Sequence, residues 1–156
     1  DEDIRKIVNA ILKFADLQNS RERDYIFDIH KFSNTVGKTG PYILYTYLRI
    51  DKILKQVEVP TSLSSQIYNE TDRNLRLKLL ELDKVILAAF EDRKPNYIAD
   101  YIYQLSDLAN SFYQNNHLAN LEDQTKKNDW LYVLNLSNRI IKEVLDLLVI
   151  QIPSKM

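Results

Sequence analysis

Residues 41–55 read PYILYTYLRIDKILK, and within them Ile43, Leu44, Tyr47, Leu48, Ile50 and Leu54 recur at intervals of three and four. That spacing puts the six on one face of an α-helix. Pro41 stands at the entry, where its missing N–H is a donor that a first helical turn leaves unpaired anyway. Upstream, Ile4, Ile7, Val8, Ile11, Leu12 and Ala15 form a stripe over residues 4–17, with Arg5, Lys6, Asn9 and Lys13 facing away. Between the two helices, residues 18–40 read as an ordered connector. Its Tyr25, Phe27, His30 and Phe32 keep no clean period, and Gly37 and the Gly40-Pro41 pair close it.

Downstream, Pro60-Thr61-Ser62 marks a loop over residues 57–65. Leu75, Leu79, Leu82, Val85, Ile86, Ala89 and Phe90 then predict a third helix of about four to six turns, the longest of the chain. The Lys94-Pro95-Asn96 break precedes Ile98, Ile102, Leu105, Ala109 and Phe112, a fourth helix whose stripe leaves Tyr97, Tyr101 and Tyr113 outside. Residues 114–129 read as another connector, and Leu131, Leu134, Ile140, Ile141, Val144, Leu145 and Leu148 predict a last helix stopped by Pro153. Neither an internal repeat nor a low-complexity segment appears.

Composition agrees with this pattern. With 2 Gly and 4 Pro in 156 residues, the turn punctuation of a sandwich or barrel is missing. The expected fold is all-α, a helical bundle of about five main helices in a single domain over residues 1–156. Zero Cys and 2 His exclude a disulfide framework and a structural zinc site. A formal charge of −1 gives no global positive field for DNA, so any nucleic-acid surface must be local. The acidic start Asp1-Glu2-Asp3 and the lack of a membrane-length apolar run predict a soluble cytoplasmic chain with no membrane partner.

Most chemical-looking motifs have a plainer reading. Gly37-Lys38-Thr39 matches the tail of a phosphate-binding P-loop, but Phe32 stands where the motif needs its first Gly, and no apolar strand precedes it. Asp24, Asp28 and His30 sketch an acid–base or metal set, yet in a polar connector such residues serve as turn and cap groups. The sequons Asn69-Glu70-Thr71 and Asn135-Leu136-Ser137 read as chance matches, the second inside a predicted helix. No dinucleotide fingerprint, nucleophile elbow or histidine pair on a helix face assembles a catalytic constellation.

One pattern is harder to dismiss. Tyr42, Tyr45, Arg49 and Lys52 stand at i, i+3, i+7 and i+10 on the second helix, a stripe roughly opposite Ile43, Tyr47, Ile50 and Leu54. Rings alternating with cations suit an unpaired RNA loop, whose bases are read by stacking and through their exposed edges. The same spacing also suits a packing surface covered by the core or by a partner helix, and periodicity alone favours that reading.

Ala15-Asp16-Leu17, Arg21, Asp24-Tyr25, Phe27-Asp28, Gly37, Thr39-Gly40-Pro41-Tyr42, Tyr45 and Arg49 resemble the C-terminal DALR anticodon-binding domain of class I arginyl-tRNA synthetases. The similarity resumes at Tyr101-Ile102-Tyr103-Gln104-Leu105, Phe112-Tyr113 and Pro153-Ser154-Lys155-Met156, and is weakest over residues 57–80. Lys38 and Leu44 depart from the Asn and Gln that the family favours.

The resemblance implies an all-α bundle of the class I synthetase anticodon-binding type. It also implies a parent enzyme that joins arginine to its tRNA, with ATP and Mg held in a catalytic domain of the same polypeptide. No cofactor falls to this chain, which would be an inactive fragment whose residues 1–17 lead in from that domain. Carried over by position, the anticodon surface falls on Tyr42, Tyr45, Arg49, Tyr113, His117 and the terminal Met156. The last helix would hold Met156 close to the others, with Lys52 and Lys55 as phosphate contacts.

The expected partner is the anticodon stem-loop of tRNA(Arg). Its central C is shared by all arginine anticodons and offers an N4 donor beside N3 and O2 acceptors. The alternative is a non-catalytic helical interaction module whose tyrosine stripe a partner helix covers. A third reading is an isolated domain whose near-zero charge leaves RNA binding weak.

Overall fold

The computed structural model describes residues 2–156, leaving aside the side chain of Ala119; Asp1, first in the predicted lead-in 1–17, lies outside the described residues. Seven α-helices and one 3-10 turn occur among them: α1 Glu2–Leu17, α2 Ile29–Phe32, α3 Gly40–Leu54, α4 Glu70–Leu79, α5 Leu82–Asp92, α6 Asn96–Asn115, the turn Leu118–Asn120, and α7 Gln124–Leu147. The all-α expectation holds. Helix α6 is the hub, touching α1, α3, α4, α5 and α7. Its fully buried Ile102, Leu105 and Phe112 share one core with Phe14, Ile43, Leu44, Ile50, Leu75, Leu134 and Ile141.

Helix α3 starts where the sequence places its signals. Thr39 is the N-cap, its hydroxyl accepting from the Tyr42 N–H at 3.2 Å and donating to the Asn34 carbonyl at 2.5 Å. Gly37, the apparent P-loop residue, takes φ 85° in the preceding turn. Gly40 has a different task. A Cβ there would lie 2.4 Å from the Ala10 carbonyl oxygen, so α1 and α3 cross backbone to backbone at that point.

This crossing corrects the stripe expected on α1. Ala10, Ile11, Phe14 and Ala15 are buried, while Ile4, Val8 and Leu12 stay exposed. Gly40 and Ala10 let the two backbones approach, and the packed face of α1 is Ala10, Ile11, Phe14 and Ala15.

Three further expectations are corrected. The third helix is two: α4 ends at Leu79 and α5 begins at Leu82. No Gly or Pro marks the bend, which is held by the Glu81 N–H on the Lys78 carbonyl and by the Lys78 ammonium on Glu81 and, at 2.8 Å, on Gln104 of α6. The longest helix is α7, with 24 residues; it begins at Gln124, inside the stretch read as a connector, because Asp123 caps it by accepting from the Lys126 N–H. Tyr101, expected off the stripe, is 2% exposed, and burial followed by the charges of Glu81 and Asp83 pushes its phenol far above the usual range.

The connector 18–39 is ordered by its aromatic residues. Phe32 is buried, stacks on Phe27 at 5.4 Å and meets Tyr25 edge-on at 6.2 Å. Asp28, one of the acid–base candidates, caps α2 through the N–H groups of His30 and Lys31.

After α7, Val149 turns the chain at φ 57° in a Schellman-type close, with the Ile150 N–H on the Leu145 carbonyl. The remaining residues return along α1. Lys13 donates to the Val149 carbonyl, and the Ser154 N–H and hydroxyl both donate to Asp3, holding its carboxyl below the ordinary range.

Candidate nucleic-acid interface

A cavity of about 540 Å³ opens where the second half of α3, the end of α6, the 3-10 turn and the first turns of α7 converge. Ile53, Val57, Leu118 and Leu131 form its apolar walls. Arg49 enters from α3 and Tyr113 from α6, with the guanidinium carbon 4.9 Å from the centre of the tyrosine ring. Such a cation–π contact contributes about 0.5–1 kcal/mol at an exposed site and holds the guanidinium in place. His117, exposed in the link after α6, borders the same space.

Three of the predicted residues therefore converge: Arg49, Tyr113 and His117. The others do not line this cavity. Tyr42, seven residues before Arg49 on α3, lies about 10 Å along the helix axis. Its hydroxyl donates to Asp107 and accepts from the Asn110 amide, both at 3.1 Å, and its ring lies 5.8 Å from that of Tyr103. Burial, reinforced by Asp107, pushes the Tyr42 phenol up although the Asn110 hydrogen bond opposes it, so the group stays neutral. Tyr45 is 46% exposed. Lys52 is exposed, and Lys55 is paired with Asp51 at 2.7 Å, which raises its ammonium pKa. Met156 is exposed two residues beyond Ser154, on the strand of chain tied to Asp3.

The wall behind the cavity is a buried polar network. Asn116, a lining residue, accepts from the Asn69 amide at 2.7 Å and donates to the Thr71 hydroxyl at 2.9 Å and the Phe112 carbonyl at 2.8 Å. Asn69, the asparagine of the first sequon, also caps α4. Asp129 accepts from the Ser64 N–H and the Tyr68 hydroxyl, each at 2.8 Å, and from the Ser64 hydroxyl. Burial pushes the Asp129 carboxyl up, but these hydrogen bonds and the Arg76 charge outweigh it and hold the group below the usual range. Arg76 in turn clasps the fully buried Asp72 at 2.6 Å and reaches the Ser64 carbonyl at 3.2 Å. Residues 64–72, in the stretch where the family similarity is weakest, are thus fixed against α6 and α7.

Chemically, the cavity offers a ring, cations and amides. Gln56, Gln114 and Asn120 stand at its rim, each able to donate and accept, and Lys127 enters from the first turns of α7. No carboxylate lines it, although the chain carries 22. Sequence reasoning missed these four residues, because none belongs to a periodic stripe and all lie at helix ends or in links. The sequence signal for Gln114, Asn120 and Lys127 is the polar run around residues 114–129, and Gln56 has none.

The two departures from the family pattern are accommodated. Lys38 pairs with Asp100 of α6, and Leu44 is wholly buried, where an apolar side chain needs no hydrogen-bond partner.

A family model for the DALR anticodon binding domain matches residues 43–156. Arginine–tRNA ligases from Alkaliphilus oremlandii and Agathobacter rectalis are 36% and 34% identical over 100% and 97% of this chain. The chain spans 27% of the length of each of these curated relatives. Among solved structures, the arginyl-tRNA synthetase of Thermus thermophilus superposes with a TM-score of 0.88 over 97% of this chain and 27% of its own, at 23% identity, a likeness of fold.

Proposed function

We propose, because the chain belongs to the DALR anticodon binding domain family, that it binds the anticodon stem-loop of tRNA(Arg) and reads the central C in the cavity between α3, α6 and α7. The observation that carries this is the convergence of Arg49, Tyr113 and His117 on one space without a carboxylate. A cytosine needs a flat surface, a donor for O2 and N3, and an acceptor for N4. Tyr113 and the guanidinium stacked on it supply planes, Arg49 supplies donors, and the side-chain carbonyls of Gln56, Gln114 and Asn120 supply acceptors.

In the longer protein this domain would present the anticodon while the rest of the polypeptide joins arginine to the tRNA with ATP and Mg. No group of three or more His, Cys, Asp or Glu among the described residues could hold a metal ion, and no residue here is assigned to ATP or Mg. No described helix is long and apolar enough to cross a membrane.

The test is a fluorescence-anisotropy titration with an arginine anticodon stem-loop and with the same loop carrying U for the central C. The expected result is saturable binding that weakens for the U loop by about 1–3 kcal/mol, the value of one base contact. Equal affinity for the two loops contradicts the reading.

A further inference from the structure

We infer that Lys127 is a contact to the RNA backbone at the mouth of this cavity, the place the sequence assigned to Lys52 and Lys55; the inference rests on the cavity being the RNA site. Four observations carry it. Lys127 is the single lysine that lines the cavity. Its ammonium has no ion pair or hydrogen bond among the described residues, whereas Lys55 is held by Asp51 and the neighbouring Lys126 lies 4.4 Å over the Trp130 ring. It stands in the first turns of a 24-residue helix whose first turn has no acidic residue, and the aligned peptide dipoles are already positive there. The capping Asp123 stands four residues earlier but makes no ion pair with Lys127, so the ammonium is left open to a negative partner. Finally, Arg49 enters from the facing helix and no carboxylate lies between, so the space is flanked by positive charge in a chain whose net charge is −1.

The ligand chemistry is a phosphodiester next to an unstacked base. Arg49, held against Tyr113, meets the base, and the flexible Lys127 ammonium meets the phosphate as a point charge. Such a contact adds affinity without reading sequence. It also adds salt dependence, because each phosphate neutralised releases counterions.

The experiment measures stem-loop affinity of the wild type, Lys127→Gln and Lys127→Arg at a series of KCl concentrations, with both the central-C and central-U loops. We expect Lys127→Gln to bind both loops about three- to tenfold more weakly and to lower the slope of log affinity against log salt by about 0.7, the single-strand value for one contact. Lys127→Arg should keep the wild-type slope. An unchanged slope in Lys127→Gln overturns the inference, as does a loss confined to the central-C loop, which would make Lys127 a reader of the base. If the slope falls but the wild type does not distinguish C from U, the anticodon reading fails and the backbone contact stands. If the wild type binds neither loop, both fail.

Discussion

The two halves of α3 carry the same kind of residue and do different work. In the first half, Gly40 lies against the Ala10 backbone, Thr46 receives the Asn110 amide at 2.6 Å, and the Tyr42 hydroxyl is satisfied twice by α6. In the second half, Arg49 and Ile53 face an open cavity, and the Arg49 guanidinium is paired with a ring rather than with a carboxylate. One stripe of aromatic and cationic residues is thus divided by its neighbours. Helix α6 covers the first half as a packing partner and runs out at Asn115, just where the second half opens. A periodic stripe identifies a face, while the length of the facing helix decides how much of that face remains for a ligand.

Disrupting the packing half should have the largest effect. Gly40→Ala forces a methyl group against the α1 backbone, and overpacking of this kind costs about 3 kcal/mol. Chemical denaturation should show that loss, with RNA affinity restored wherever the variant is folded. Asp129→Ala, which strips the acceptor from Ser64 and Tyr68 behind the cavity, should cost about 2 kcal/mol in the same assay.

The same carboxylate gives a pH signature. Its folded-state pKa is depressed, so its contribution is complete above the unfolded carboxylate value of about 3.9 and disappears as pH falls through the lower folded value. Acid titration of stability should therefore be shallower in Asp129→Ala than in the wild type.

Arg49→Ala and Tyr42→Phe then sharpen the contrast between the halves. Arg49→Ala should weaken stem-loop binding by about 1–3 kcal/mol while stability falls by less than about 1 kcal/mol, the value of its contact with Tyr113. Tyr42→Phe should do the reverse, losing about 1 kcal/mol of stability through its hydrogen bonds with Asp107 and Asn110 and leaving RNA affinity unchanged. The smallest effect is a gain. Val149 is β-branched, 66% exposed and left-handed, so Val149→Gly should raise stability by up to about 1 kcal/mol with no change in binding.

Much of this architecture is legible in the sequence where local rules act alone. Thr39, Gly40 and Pro41 mark the start of α3, Pro95 lies at the start of α6, and the apolar period of α6 gives its buried face. The rest depends on what arrives from elsewhere in the chain. Periodicity places Leu79 on the buried stripe and leaves Leu80 off it, but nothing local marks the break between α4 and α5, which is held by Lys78 reaching Gln104 on another helix. The exposure of Ile4, Val8 and Leu12 likewise shows only once the helices are placed, since periodicity puts them with the buried Ile11 and Ala15.

The site divides in the same way. Arg49, Tyr113 and His117 are found by resemblance and meet in space, but Tyr42 belongs to the seam with α6 and Met156 lies on the chain returning along α1. Lys127, Gln56, Gln114 and Asn120 become visible only when helix ends are brought together. Resemblance supplies positions, and packing decides which of them share a surface.

The central claim is that RNA engages the cavity end of α3. It is tested most directly by titrating the ¹⁵N-labelled chain with the arginine anticodon stem-loop and following each backbone amide. We predict that shifts concentrate at Arg49, Ile53, Tyr113, His117 and Lys127, while Gly40, Tyr42 and Thr46 stay in place. Shifts centred on the Tyr42 seam or on the exposed face of α1, with the cavity residues unmoved, would contradict the account.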